Sequence, residues 1–196
     1  MPRFYKGIGV GTFLHGADLR ATGITARAAG MGYSPNALVH HIARGTTVSP
    51  CISLTRSFGV AEMYARDASR VFPTSTSPAY VYGIEINNPA PVGVTIYDPI
   101  QQILSLHPDP LAQSSYHHDG DMNFLLGIVN PALMSAYLNA PIRQPGQSAS
   151  GGAGGTARPA NLSLELEALV RALRDAEVMA VGTIPASCVV ERHDVY

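Results

Sequence analysis

Ser53 and Thr55 stand two positions apart in the stretch Ser49-Pro50-Cys51-Ile52-Ser53-Leu54-Thr55-Arg56-Ser57. In an extended chain, residues two apart point to the same face, so both hydroxyls can address one ligand or one carboxylate. Thr55 and Ser57 are equally suited to cap a following helix, and on residue type alone capping is the commoner role. Asp175-Ala176-Glu177-Val178 sets two carboxylates two apart at the start of an apolar run. The ordinary reading of such acids is solvated surface, with Asp175 ending a helix beside Arg174. A third cluster, His117-His118-Asp119-Gly120-Asp121, offers imidazoles and carboxylates to a metal. Adjacent histidines seldom both reach one ion, however, and no zinc spacing such as H-E-x-x-H is present. A turn in which Asp119 or Asp121 caps the next helix is the preferred reading.

These groups need rigid elements to hold them. Cys51 to Leu54 reads as a short buried strand. It runs into a helix from Ser57 to Arg70 with Phe58, Ala61, Tyr64, Ala65 and Ala68 on one face. Arg3 to Gly9 reads as a first strand, and Ala17 to Met31 as a weak helical or turn region broken by Gly23. Ser34-Pro35-Asn36 predicts a helix start, Gly45 its stop, and Leu38, Val39 and Ile42 its apolar side. Within it, His40-His41 reads as one exposed and one buried histidine. Ala79 to Ile86, rich in aromatic and β-branched residues and bounded by prolines, predicts a strand whose Tyr80 and Tyr82 belong to the core. Val92 to Tyr97 is a further strand candidate, and prolines limit Asp98 to Ser115 to connection. An apolar run, Met122 to Val129, precedes a capped helix start at Asn130-Pro131. Leu162, Leu166, Leu169, Val170 and Leu173 recur at helical spacing, so an amphipathic helix is expected to Arg174. Strands are expected over Glu177 to Gly182 and Cys188 to Glu191.

Composition bounds the rest. The chain of 196 residues is 46% apolar and 14% charged, enough for one folded domain over residues 1–196. The Gly/Ser/Ala-rich stretch at about 144–160 reads as a flexible loop inside that domain rather than a linker. A net charge of −1 argues against a broad nucleic-acid or membrane footprint. Cys51 and Cys188, the two cysteines, sit in apolar surroundings and read as buried reduced thiols, not as a disulfide scaffold or zinc ribbon. No signal peptide and no spanning helix is read from the sequence, which suggests a soluble protein.

Taken in order, Phe4-Tyr5-Lys6-Gly7, Ser53-Leu54-Thr55 and Asp175-Ala176-Glu177-Val178 resemble the mono-ADP-ribosyltransferase family. The branch concerned carries arginine on the first strand, a Ser-Thr-Ser-like motif and a catalytic glutamate. The Ala61-Glu62-Met63-Tyr64-Ala65 helix and the later Gly182-Thr183-Ile184-Pro185 run follow the same layout. The resemblance spans Tyr5 to about Val190, and only the order of its short motifs carries weight. One departure is plain. Lys6 stands where the family has arginine, keeping the charge but losing the bidentate fork. Arg3, three positions away, would face the other side of a strand and is the poorer substitute.

The resemblance implies an α+β fold, two small mostly antiparallel sheets packed together with flanking helices and NAD in the cleft between them. It implies transfer of ADP-ribose from NAD to a macromolecular acceptor, a protein side chain above all, with release of nicotinamide and no metal. Glu177 would stabilise the cation-like ribose, Ser53 would shape the site, and Asp175 would engage the acceptor. Tyr5, Lys6, Gly7, Ser53, Thr55 and Tyr64 would contact NAD, with Lys6 on the phosphates. A toxin or effector acting inside a target cell, with an immunity or regulatory partner, is the implied setting. Alternatives are an NAD glycohydrolase, an inactive NAD- or protein-binding module of the same fold, and a metal-dependent hydrolase centred on His117 to Asp121.

Overall fold

Strand β1 (Arg3–Ile8) buries Phe4 and Ile8 on one face. Its other face offers Gly7 to the helix α3 (Phe58–Asp67), whose Ala61 and Ala65 are fully buried. Contact there is backbone to backbone. A Cβ on Gly7 would collide with the Ala61 carbonyl oxygen and come within 2.8 Å of the Ala65 nitrogen. The computed structural model from which these features are read describes residues 2–45, 48–67, 69, 71–104, 106 and 164–196. The His117 to Asp121 cluster, Met122 to Val129, the helix start at Asn130, the stretch 144–160 and Leu162 lie outside the described residues.

The short helix α1 (Leu19–Thr22) opens on Asp18, which accepts from the Arg20 N–H, and closes at Gly23 with φ 72° before strand β2 (Ile24–Thr25). Helix α2 (Pro35–Arg44) has the termini expected. Ser34 Oγ accepts from the Ala37 N–H at 3.1 Å, Pro35 opens the helix, and Gly45 ends it in the left-handed region. Strand β3 (Cys51–Thr55) leads into α3, whose first turn Ser57 caps by accepting from the Val60 N–H at 3.3 Å. Strands β4 (Ala79–Glu85) and β5 (Val94–Tyr97) follow. Asp98 to Ser115 differs from expectation, since its first part forms helix α4 (Pro99–Leu104). Asp98 Oδ1 accepts from the Ile100 N–H, and Pro99 occupies the one helical position where a missing N–H is harmless. Helix α5 (Leu164–Arg174) runs into strand β6 (Glu177–Ile184), and a single 3-10 turn at Ala186–Cys188 leads to strand β7 (Val189–Val195).

The fold is α+β. Seven strands form one curled antiparallel sheet in the order β2-β6-β3-β1-β4-β7, with β5 on β6. The expected two sheets are therefore one, but the join is minimal. Strand β1 runs alongside β4 for six residue pairs, whereas it meets β3 at the single pair Tyr5↔Thr55. Beyond that pair the two strands part.

Alternation sorts the side chains. Ile52 and Leu54 of β3 and Val178 and Ala180 of β6 join Phe4, Ile8, Leu19, Ile24 and Ile84 in one core. Cys51 and Met179, on the opposite face, pack under α2, α4 and α5 against Leu38, Ile103 and Leu169. Each fully buried leucine or isoleucine there stabilises the fold by about 1.5–3 kcal/mol. Both cysteines are buried free thiols, as expected. Tyr82 is fully buried and Tyr80 half-buried. Among the described residues no helix is long and apolar enough to cross a membrane.

Candidate active site

The parting of β1 and β3 opens a cleft of about 740 Å³, within the range of small-molecule sites. Tyr5, Lys6, Ser53, Thr55, Tyr64 and Glu177 all line it. Residues drawn from the start, first third and tail of the chain thus meet at one place.

Register explains the meeting. Cys51 to Thr55 pair with Val181 to Glu177, so Thr55 lies directly opposite Glu177 and Ser53 opposite Met179. Ser53, Thr55 and Glu177 share one face of the sheet. The Arg56 N–H bonds the Ala176 carbonyl, and alternation along an antiparallel pair turns the Ser53 carbonyl away from β6, toward β1. Lys6 Nζ donates to this carbonyl at 3.0 Å. Arg3 has no part in the cleft, because Glu85 and Glu191 hold its guanidinium at an exposed edge.

The two hydroxyls have separate tasks. The Ser53 Oγ lies 2.8 Å from His41 Nε2 on α2. Thr55, expected to touch ligand, spends its hydroxyl on the backbone, donating to the Asp175 carbonyl at 2.5 Å and accepting from the Ser57 N–H at 3.0 Å. It fixes the turn that delivers Glu177. That turn is tight, since Ala176 has φ 46°, a left-handed conformation that a non-glycine residue adopts only when held.

Asp175 is a buried acid, so of its two sequence readings the solvated helix end beside Arg174 does not hold. Tyr64 Oη donates to its Oδ2 at 2.5 Å, and Arg174 grips both carboxylate oxygens at 2.6 and 2.8 Å. Burial, then the neighbouring Asp175 charge, pushes the Tyr64 hydroxyl well above its usual pKa. It stays a neutral donor. Gly7 lines the cleft, but its missing side chain serves the approach of α3. Tyr5 packs edge-on against Phe58, with ring centres 5.5 Å apart.

Charge inside the cleft is finely placed. Burial pushes the Glu177 carboxyl up to about 7, with the Asp175 charge adding to it and the Ser53 hydroxyl, Lys6 and Arg174 opposing. Burial lowers the Lys6 ammonium to about 8, opposed by Glu177. Both side chains keep partial access to the cleft, where solvent screens their interaction. A carboxyl and an amine poised near neutrality in one concave site is a recognised signature of function.

His41 is the site residue that sequence reading passed over. It follows Leu38 by three positions and so shares the inward side of α2, a polar residue on an apolar face. Arg27, stacked over Phe13 at 4.9 Å, and Arg44 also line the cleft and bring cationic charge to its rim. Among the described residues no group of three or more His, Cys, Asp or Glu side chains is placed to hold a metal ion.

No protein-family model, no curated protein and no solved structure matches the chain.

Proposed function

We propose that this chain is a mono-ADP-ribosyltransferase that cleaves the nicotinamide–ribose bond of NAD and passes ADP-ribose to a protein side chain. The observation that carries the reading is the convergence of Ser53, Glu177 and Lys6 in the cleft where β1 and β3 part. The resemblance implies two small sheets with NAD in the cleft between them; the α+β class and the cleft beside the one-pair β1–β3 join are compatible with that layout.

The chemistry follows from the groups present. Loss of nicotinamide leaves positive charge on the ribose, and an ionised Glu177 beside it stabilises that charge. Ser53 orients the carboxylate and the ribose hydroxyls. Lys6, with one N–H on the Ser53 carbonyl, turns its remaining donors toward the phosphates. Arg27 and Arg44 extend the cationic lining along the same cleft.

One observation favours a second reading, NAD hydrolysis without transfer. The Asp175 carboxylate already accepts three hydrogen bonds, two from Arg174 and one from Tyr64, which leaves little of it to engage an acceptor side chain. Water would then take the ribosyl cation.

Labelled NAD incubated with the protein and a cell lysate separates these outcomes. Nicotinamide release with a labelled protein band, both lost in Glu177→Ala, supports transfer; release without any band supports hydrolysis. Equal turnover by folded Glu177→Ala removes Glu177 from the mechanism and the reading with it.

A further inference from the structure

We infer that Arg171 is a further ligand-binding residue of this cleft: from α5 it presents its guanidinium, oriented by the buried Glu167, to a diphosphate held between it and Lys6. The inference deepens the transferase reading and rests on it for the dinucleotide that carries the diphosphate, but not for the anion site itself.

The arginines around the cleft are not alike. Arg174 grips both oxygens of Asp175, and Glu85 and Glu191 hold Arg3 at the far edge. Arg171 lines the cleft, and Glu167, one turn earlier on α5, engages it at one nitrogen: Nη2 donates to Oε1 at 3.0 Å. Its Nε is buried with no hydrogen-bond partner among the described residues. A guanidinium carries five N–H donors in a planar fork, so the carboxylate leaves this one unsaturated.

Charge points the same way. Glu167 is 1% exposed, and Arg44 of α2 approaches it at 3.8 Å while Arg171 bonds it from α5. Two guanidiniums therefore flank one buried carboxylate and leave net positive charge on the cleft wall that both arginines line. Burying Glu167 needs one cation; the second suits an anion that enters the cleft.

The position fits a diphosphate. Arg171 precedes Asp175 by four residues, about 6 Å along the helix, and Glu177 follows two residues on. That is comparable with the reach from a ribose ring to its 5′-phosphate. Lys6 enters from β1, on another wall of the same cleft. Lysine acts as a point charge, and Arg171 adds the planar fork that matches phosphate oxygens.

The test measures binding of inorganic pyrophosphate by calorimetry, alongside nicotinamide-release kinetics. Removing Arg171 alone strands a buried carboxylate and can unfold the chain. The variant is therefore the double substitution Arg171→Met with Glu167→Gln, and Glu167→Gln alone is its partner. We expect the double variant to bind pyrophosphate about tenfold or more weakly, and its KM for NAD to rise by a similar factor. Glu167→Gln alone, which keeps the guanidinium and removes a negative charge, should bind pyrophosphate at least as tightly as the double variant by about tenfold. Wild-type pyrophosphate affinity in the folded double variant overturns the inference, because Arg171 would then serve only to neutralise Glu167. So does Glu167→Gln losing as much affinity as the double variant, and so does a wild type that binds no pyrophosphate. Should the double variant not fold, the side-chain N–H resonances of wild-type Arg171 decide: a shift on saturation with pyrophosphate supports the inference, and unmoved resonances overturn it. Arg171-dependent pyrophosphate binding without nicotinamide release would end the transferase reading alone; NAD turnover with KM unchanged in the double variant would end this inference alone.

Discussion

Thr55 and Glu177 face each other across the β3–β6 pair, and the Thr55 hydroxyl reaches past its partner to hold the Asp175 carbonyl at 2.5 Å. The residue that resembles a ligand contact is thereby the support of the turn behind the acid. Thr55→Val keeps the shape and removes the hydroxyl, leaving the Asp175 carbonyl and the Ser57 N–H without this partner. A buried polar group left unpaired costs about 1–3 kcal/mol. Chemical denaturation should show a loss of that size, and nicotinamide release should fall as Glu177 loses its fixed approach. Thr55→Ser should restore both. Unchanged stability in Thr55→Val would detach this hydroxyl from the turn.

Glu177 and Lys6 also make stability depend on pH in opposite senses. The Glu177 pKa in the folded state is raised, so its contribution is fully present below about 4.5 and is lost as pH rises through about 7. The Lys6 pKa is lowered, so its contribution is present above about 10.5 and is lost as pH falls through about 8. Both penalties coincide between about 7 and 8, where carboxylate and ammonium are charged together. Glu177→Gln should therefore be more stable than the wild type at pH 7.5. After allowance for solvent screening the gain is about 1–2 kcal/mol. It should vanish near pH 4.5, which urea denaturation at the two pH values can check. A wild type that is the more stable at pH 7.5 would show that the pair stabilises the fold.

Rate should respond to the same two groups. Cleavage needs ionised Glu177 and cationic Lys6, so nicotinamide release should follow a narrow bell, rising through about 7 and falling through about 8. The midpoints belong to the pair and not to either residue alone. Lys6→Met removes the falling limb. It also removes the charge that favours the carboxylate, so the rising limb should move to higher pH and KM for NAD should increase about tenfold or more. A Lys6→Met profile identical to the wild type would exclude the amine from the site.

Sequence revealed what is local and missed what depends on distant partners. Ser34, Pro35 and Gly45 announce both ends of α2 because capping acts within one turn. The aromatic and β-branched run between prolines announces β4. Helix α4 was hidden because Pro99 reads as a breaker until its place at the first helical position is known. The Ser53 and Thr55 pair was visible as two hydroxyls on one face, but their different tasks were not. One is decided by His41, twelve positions away, and the other by a carbonyl 120 positions away. The burial of Asp175 likewise rests on Tyr64, which lies 111 positions earlier.

The close approach of α3 to β1 gives the last prediction. Gly7→Ala places a methyl group against the Ala61 carbonyl and within 2.8 Å of the Ala65 nitrogen, both backbone atoms that no rotamer change can move. Helix α3 must shift outward, and overpacking of this kind costs about 1–3 kcal/mol. The shift carries Tyr64 away from Asp175, so nicotinamide release should fall together with stability. Gly59→Ala is the matched control on the same helix, where the nearest atom to an added Cβ is Ser57 Oγ at 4.0 Å. Replacing a helical glycine at such an open position should stabilise by about 0.5–1 kcal/mol. Thermal unfolding of the two variants should therefore move in opposite directions from the wild type. A Gly7→Ala protein as stable and active as Gly59→Ala would mean that the α3–β1 contact does not hold the site together.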